Sequence, residues 1–288
     1  MPGHEYAGVV AAVGAAVTTR RVGERVTAPF VCGCGRCAWC AAGDAQVCPD
    51  QQQPGFTRPG SFAELVAVPA ADLNVVPLPD ALDFVTAASL GCRFATSYRA
   101  LTAHGRVGPG DWVAVHGCGG VGLSAVMIAA ALGARVVAVD VSAAALRLAA
   151  ELGAETVVPG GPAAAARVRE VSGGGAHVSL DAVGSAATAV ASVRSLRRRG
   201  RHVQVGLLLG EHATPPLPMD LVVAQELQLL GSHGMAARDY PAMLELVASG
   251  ALRPDRLVGA VVALADAGAA LAAMSGPAST PGITVVRL

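Results

Sequence analysis

The stretch 112–140 constrains the fold more than any other. A β-branched run holding Val113 and Val115 meets glycines at Gly117, Gly119, Gly120 and Gly122, with Cys118 and Val121 among them. An apolar segment with few helix breakers follows over 123–132, then a second β-branched run over 136–139 that ends on Asp140. Strand, glycine turn, helix and strand in this order predict a βαβ unit, because parallel strands need a crossover of this length. In such a unit Gly117 makes the tight turn, Gly119 lets backbone amides approach a pyrophosphate, and Gly122 lets helix and strand pack closely. The diphosphate then lies at the helix N-terminus, where unpaired amides and the macrodipole favour an anion.

A glycine triplet alone says little in a chain with 35 glycines. The bland alternative is a Gly/Ala-rich turn between core elements, and the flanking elements decide against it. Asp140 stands about 20 residues on, at the end of the second strand, where a carboxylate accepts hydrogen bonds from a ribose diol. The expectation is a Rossmann unit that binds NAD(H). A 2′-phosphate would meet like charge at Asp140, and no Arg follows it directly, so NADP is disfavoured.

The alternation continues downstream. Ser142 is expected to cap a helix running to Leu152, followed by a strand at 155–158, a helix at 163–171, and strands at 177–183, 201–206 and 227–231. That makes six strands, the count of a full Rossmann sheet. Val183 and Gly206, at strand ends, are expected to line the cofactor crevice, although ordinary strand-end turns account for them equally well. Arg197, Arg198 and Arg199 are placed at a helix C-terminus, where cations offset the macrodipole.

With 288 residues the chain is long enough for two domains. Its formal net charge is zero, which points to neither a nucleic acid nor an anionic membrane as partner. The uncharged run 112–134 is long enough to span a bilayer, but its glycine turn splits it into strand and helix. The N-terminus lacks a basic region followed by an apolar one, so a soluble cytoplasmic protein is expected. Seven cysteines in such a chain point to metal or catalysis before disulfides.

Four of them, Cys34, Cys37, Cys40 and Cys48, follow C-x2-C-x2-C-x7-C. Four thiolates on a short loop close a tetrahedron around a structural Zn2+, with no open position for chemistry. A disulfide pair or an iron–sulfur cluster are the rivals; the reducing compartment disfavours the first, and the second has no evident electron partner. Cys32 is the spare. The segment 56–76 reads as short strands and turns. A helix over 81–90 is expected to end at Gly91 and Cys92, just before a second helix over 94–103. Cys92 alone is most simply a small buried apolar residue.

Taken together, Gly3-His4-Glu5, the four-cysteine loop, Leu90-Gly-Cys-Arg-Phe-Ala-Thr-Ser-Tyr98, Gly117-Cys-Gly-Gly-Val-Gly122 and Asp140 carry a resemblance to a known family. The chain resembles the zinc-dependent alcohol dehydrogenases of the medium-chain dehydrogenase/reductase family. The resemblance implies an α/β fold, with a doubly wound Rossmann sheet inserted into a GroES-like, mainly β catalytic domain that lacks its N-terminal segment. The implied domains are 1–93 (catalytic, with the zinc loop), 94–232 (NAD-binding) and 233–288 (return to the catalytic domain). It places His4 and Cys92 on a catalytic zinc, Glu5 beside them as an alternate ligand or supporting group, and Thr96 against the nicotinamide. It also implies a homo-oligomer, dimer or tetramer, acting on a small-molecule alcohol or carbonyl. The reaction is alcohol plus NAD+ giving aldehyde or ketone plus NADH, with zinc as Lewis acid. Polyol or threonine dehydrogenase activity is the alternative within the enzyme class. A non-catalytic NAD(H)- and zinc-binding protein is the alternative outside it.

The family carries a further stretch before Gly-His-Glu, with the first cysteine ligand of the catalytic zinc and a hydroxyl residue of the proton relay. The sequence here starts at Met1. Such a chain is expected to bind NADH but to turn over alcohols at least about a hundredfold more slowly than an upstream-extended version, a barrier difference of roughly 2.7 kcal/mol. Turnover of the two zinc-loaded versions at saturating NAD+ makes the comparison, and equal rates would overturn this picture of the metal site.

Overall fold

The computed structural model describes residues 1–274 and 282–288. The chain divides into two units, Met1–Ala95 with His233–Leu288, and Thr96–Ser232. The first crossing thus falls after Ala95, inside the stretch that the sequence reading assigned to the nucleotide domain.

The N-terminal part of the first unit holds β1 (Ala7–Val9), β2 (Arg25–Thr27), α1 (Ala38–Ala42), α2 (Ala71–Asn74), β3 (Val76–Pro77) and α3 (Phe84–Ala88). The three strands form a small antiparallel sheet in the order β1-β2-β3. The helical turn α2 corrects the expectation of strands and turns throughout 56–76. Its Asn74 is buried and exchanges two hydrogen bonds with the backbone of Gly33, both 2.9 Å, which ties the turn to the cysteine loop.

A second correction concerns the hinge. The chain does not stop being helical at Gly91 and Cys92. It passes through a π-turn, Leu90–Phe94, into α4 (Ala95–Arg99) and a further π-turn, Ala100–His104. A π-turn widens the helix by one residue and frees groups for outside partners. Here the Arg93 amide donates out of the helix to Glu5 Oε1 at 3.1 Å.

The second unit continues with β4 (Trp112–His116), α5 (Gly120–Ala131), β5 (Arg135–Asp140), α6 (Ala143–Glu151), β6 (Thr156–Pro159), α7 (Ala164–Val171), β7 (Ala176–Asp181), α8 (Ala186–Arg194), β8 (Leu196–Gln204), α9 (Met219–Ala224) and β9 (Gln228–Gly231). All six strands are parallel in the order β6-β5-β4-β7-β8-β9, the doubly wound arrangement the sequence predicts. Strand β4 is buried at every residue, and α5 is buried along most of its length, so it is apolar all round. Ser142 caps α6 as expected, its Oγ accepting from the Ala145 amide at 3.3 Å. One face of the sheet closes with Ala114, Val137, Val139 and Val158 packed on Ala164 and Val168 of α7.

The arginine run departs from expectation. Helix α8 ends at Arg194, and Arg197, Arg198 and Arg199 belong to β8, with Arg199 at φ +59° beside a register shift. Arg197 Nη1 meets His177 Nε2 of β7 at 2.6 Å, and Arg198 donates to the carbonyl of Ala224, the last residue of a later helix, at 3.3 Å.

The return segment of the first unit holds α10 (Tyr240–Ala248), β10 (Val258–Ala263), α11 (Ala267–Ala273) and β11 (Ile283–Arg287), with β10 and β11 paired in parallel. Tyr240 is fully buried, and its hydroxyl donates to the Gly91 carbonyl at 3.2 Å. Among the described residues no helix is long and apolar enough to cross a membrane.

Leu180, on the central strand β7, has no exposed surface. Leu180→Ala is expected to lower stability by about 2–5 kcal/mol through lost burial and a residual cavity. Urea denaturation measures it, and a loss below about 1 kcal/mol would mean that the sheet core repacks freely.

Candidate functional site: a nucleotide turn and a cysteine cluster

The glycine turn is built by close approach. Gly117 has φ +92°, and a Cβ on Gly122 would stand 1.7 Å from the Gly117 carbonyl oxygen, so only glycine lets α5 start this close to β4. The turn presents the N-terminus of α5, which begins at Gly120 and so takes in Gly120, Val121 and Gly122, with Gly119 as N-cap. Asp140 closes the turn from β5. Its Oδ2 accepts the Cys118 amide at 2.6 Å and its Oδ1 accepts the Ser142 amide at 2.7 Å. The acid therefore borders the turn. Val183 follows β7 and abuts the same turn, since a Cβ on Gly117 would meet Val183 Cγ2 at 2.4 Å. Gly206 lies just past the end of β8. Thr96 is buried, and its Oγ1 has no hydrogen-bond partner among the described residues. A buried hydroxyl in that state fits a group that arrives with the cofactor.

The four loop cysteines come together as the spacing requires. Cys34, Cys37, Cys40 and Cys48 place their sulfurs within 4.8 Å of one another, and all seven cysteines of the chain are free of disulfides. Cys37 caps α1, its Sγ accepting the Cys40 amide at 3.4 Å, and the Cys34 amide donates to Cys48 Sγ at 3.4 Å. The Arg36 amide heads the interactions that hold the Cys34 thiol down to about 6, whereas burial pushes Cys48 up to about 12. Amide donors aimed at sulfur, four sulfurs around one centre and a buried floor formed with Ala45 and Ala236 suit a closed thiolate site for Zn2+. Arg238, from the return segment, donates to the Ala42 carbonyl at 3.1 Å and so steadies the C-terminus of α1. Cys32 stays outside the cluster, buried, with its Sγ 3.9 Å from the Pro29 carbonyl oxygen.

His4, Glu5 and Cys92 share the first unit but do not gather as the cysteines do. Among the described residues the loop cysteines are the one group of three or more ligand-type side chains drawn together. Glu5 is taken up by Arg93: its Oε2 accepts from Nε at 2.9 Å and lies 2.6 Å from Nη2, while Oε1 takes the Arg93 amide. His4 meets Phe30 edge-on and Phe56 at a tilt, with ring centroids 5.9 and 5.0 Å away. Burial lowers the affinity of His4 for a proton and pushes the Cys92 thiol up to about 12. The two segments are nevertheless neighbours, because a Cβ on Gly91 would lie 3.5 Å from Glu5 Cα. The only trace of the Arg93 pairing in the sequence is a cation directly after Cys92 and an acid directly after His4.

Comparison with known proteins agrees with both halves. A family profile described as alcohol dehydrogenase GroES-like domain matches residues 1–80, and one described as zinc-binding dehydrogenase matches residues 120–249. An alcohol dehydrogenase of Geobacillus stearothermophilus is 38% identical over 254 residues, which cover 88% of this chain and 74% of that one. The solved structure of the alcohol dehydrogenase TADH from Thermus sp. ATN1 superposes with a TM-score of 0.90 at 32% identity, covering 99% of this chain and 84% of that one. A solved NAD-dependent alcohol dehydrogenase does so with a TM-score of 0.87 at 33% identity, covering 100% and 82%. The glycine turn and the thiolate loop thus define a zinc-binding, nucleotide-dependent oxidoreductase. The chain belongs to the zinc-dependent alcohol dehydrogenases of the medium-chain dehydrogenase/reductase family.

Cys37→Ser removes one ligand and weakens the cap of α1. It is expected to abolish retention of zinc through gel filtration and to lower the melting temperature by on the order of 10 °C. Metal-free protein that melts with the unmodified protein would remove zinc from this loop.

Proposed function

We propose that the protein transfers a hydride between a small-molecule alcohol and NAD+, giving an aldehyde or ketone and NADH. The observation that carries the choice of cofactor is the Asp140 carboxylate on the glycine turn, held by the Cys118 and Ser142 amides. A ribose diol finds an acceptor there, whereas a 2′-phosphate finds like charge with no cation directly after it. In this reading Gly117, Gly119, Gly120, Val121 and Gly122 cradle the pyrophosphate, and Thr96, Val183 and Gly206 face the remainder of the dinucleotide. When bound, NAD+ supplies the hydride acceptor, and the chain's task is to orient it and exclude water.

On the substrate side we assign His4 and Cys92 to the reaction centre. Glu5, paired with Arg93, acts as the supporting carboxylate. The rings of Phe30 and Phe56 beside His4 support an alcohol with apolar substituents. Two further assignments complete the reading. Seven free thiols support a reducing, cytoplasmic setting. Exposed Leu207, Leu209, Met219 and Val223, between β8 and β9, support a homo-oligomer, dimer or tetramer.

NADH is expected to bind more tightly than NADPH, and Asp140→Gly to narrow or reverse the gap. Lost hydrogen bonds to a charged acceptor cost about 1.5–3 kcal/mol, roughly ten- to a hundredfold in affinity. Fluorescence titration of both cofactors against both proteins measures this. Equal binding of NADH and NADPH by the unmodified protein would overturn the assignment.

A further inference from the structure

The second unit carries a buried polar chain that the glycine turn does not explain. Asp181 closes β7 with no exposed surface and no cation among its hydrogen-bond partners. Its Oδ1 accepts the Val183 amide at 2.9 Å and the Gly184 amide at 3.2 Å. Its Oδ2 accepts Gln204 Nε2 at 2.9 Å, and the same nitrogen donates to the Gly206 carbonyl at 2.8 Å. Gln204 Oε1 lies 3.1 Å from His202 Nε2, and His202 Nδ1 lies 2.9 Å from Ser192 Oγ on α8.

The polarity of this chain follows from elementary donor and acceptor counts. A carboxylate and a carbonyl only accept, so the nitrogen of the Gln204 amide faces them and its oxygen faces His202. His202 Nε2 therefore carries the proton. Burial lowers the pKa of His202, the ring is neutral, and Nδ1 is left to accept from the Ser192 hydroxyl, with Ser179 Oγ at 3.4 Å from the same nitrogen. From His202 through Gln204 to Asp181 each link has a single orientation, and Ser192 is the nearer of the two hydroxyls at the far end.

The chain ends on two loops that meet. The Asp181 carbonyl accepts the Gly206 amide at 2.8 Å, and a Cβ on Gly206 would stand 2.3 Å from the Gly184 nitrogen. The carboxylate of Asp181 and the amide of Gln204 thus set the spacing between 183–184 and 206–207. Strand order says what those loops face. Asp140 ends β5 on one side of β4, while Asp181 and Gln204 end β7 and β8 on the other. With the adenosine ribose on Asp140 and the pyrophosphate at the N-terminus of α5, the other half of a dinucleotide lies over β7 and β8.

We propose that Gln204 is a positioning residue for the nicotinamide half of NAD(H), holding the loops after β7 and β8 at the separation which that half requires. The assignment rests on the NAD(H) reading above. Asp181 is the fixed anion of the device, and His202 keeps the Gln204 amide in its one useful orientation.

Gln204→Leu keeps the bulk and removes the amide. It is expected to raise the Kd for NADH about tenfold by fluorescence titration, about 1.4 kcal/mol. Calorimetric binding of AMP, which carries only the adenosine half, is expected to stay within about twofold, because loss of general stability alone would weaken both ligands. His202→Leu is expected to follow Gln204→Leu, and His202→Gln, which restores an N–H donor, to recover NADH binding. If the unmodified protein fails to bind NADH, the cofactor reading falls and this assignment with it. If it binds NADH and Gln204→Leu binds equally well, or weakens NADH and AMP alike, the positioning role alone is overturned. Should Gln204→Leu not fold, the His202 pair decides, and a His202→Gln protein that binds no better than His202→Leu overturns the proposal.

Discussion

The second unit depends on how closely α5 can start above β4. The Gly117 carbonyl lies where a side chain on Gly122 would begin, so the helix descends onto the strand only because there is no Cβ. That approach aims the N-terminus of α5 at the end of the sheet. It also brings the turn within reach of Asp140, which bonds the Cys118 amide, and of Val183, which packs against Gly117. A fully buried β4 then lets the sheet extend on both sides from one strand. Cofactor chemistry and sheet architecture are consequences of the same contact.

The first unit holds two groups of metal-ligand residue types, and they differ in a physically simple way. The loop cysteines lie within one short stretch of chain, and the cap of α1, the Cys34 amide and the Asn74 clamp help to gather them. His4 and Cys92 come from distant parts of the sequence, and the nearest acid, Glu5, already has a partner in Arg93. A carboxylate held by an arginine side chain and a backbone amide needs no metal to offset its charge. The π-turn at Leu90–Phe94 makes this pairing, since the widened helix releases the Arg93 amide toward Glu5.

Two acids close strands at the carboxyl edge of the same sheet and act differently because of burial. Asp140 is partly exposed and bonds two amides around the glycine turn, so its charge is available to a ligand. Asp181 is fully enclosed and spends its lone pairs on Val183, Gly184 and Gln204. One acid keeps its charge open to solvent, and the other braces the loops beside it.

By itself the sequence determined what is local. Glycine spacing with a terminal acid specified the βαβ unit, six β-rich runs specified the sheet, and C-x2-C-x2-C-x7-C specified the cysteine cluster, because each depends on residues near one another in the chain. The Ser142 cap was legible for the same reason. Tertiary structure decided the rest. The run Arg197 to Arg199 suits a helix end as well as a bulged strand, and pairing of the flanking Leu196 and Arg201 with neighbouring strands chose the strand. Gly91 and Cys92 look like a helix stop, yet hydrogen bonds from the Phe30 amide and the Tyr240 hydroxyl to the Gly91 carbonyl hold the wider turn in place. The pairing of Glu5 with Arg93, and the links from Ser192 to His202 and from Gln204 to Asp181, join residues of different elements that no local spacing connects. Partners of that kind become visible only when folding buries their polar atoms and requires each to be satisfied.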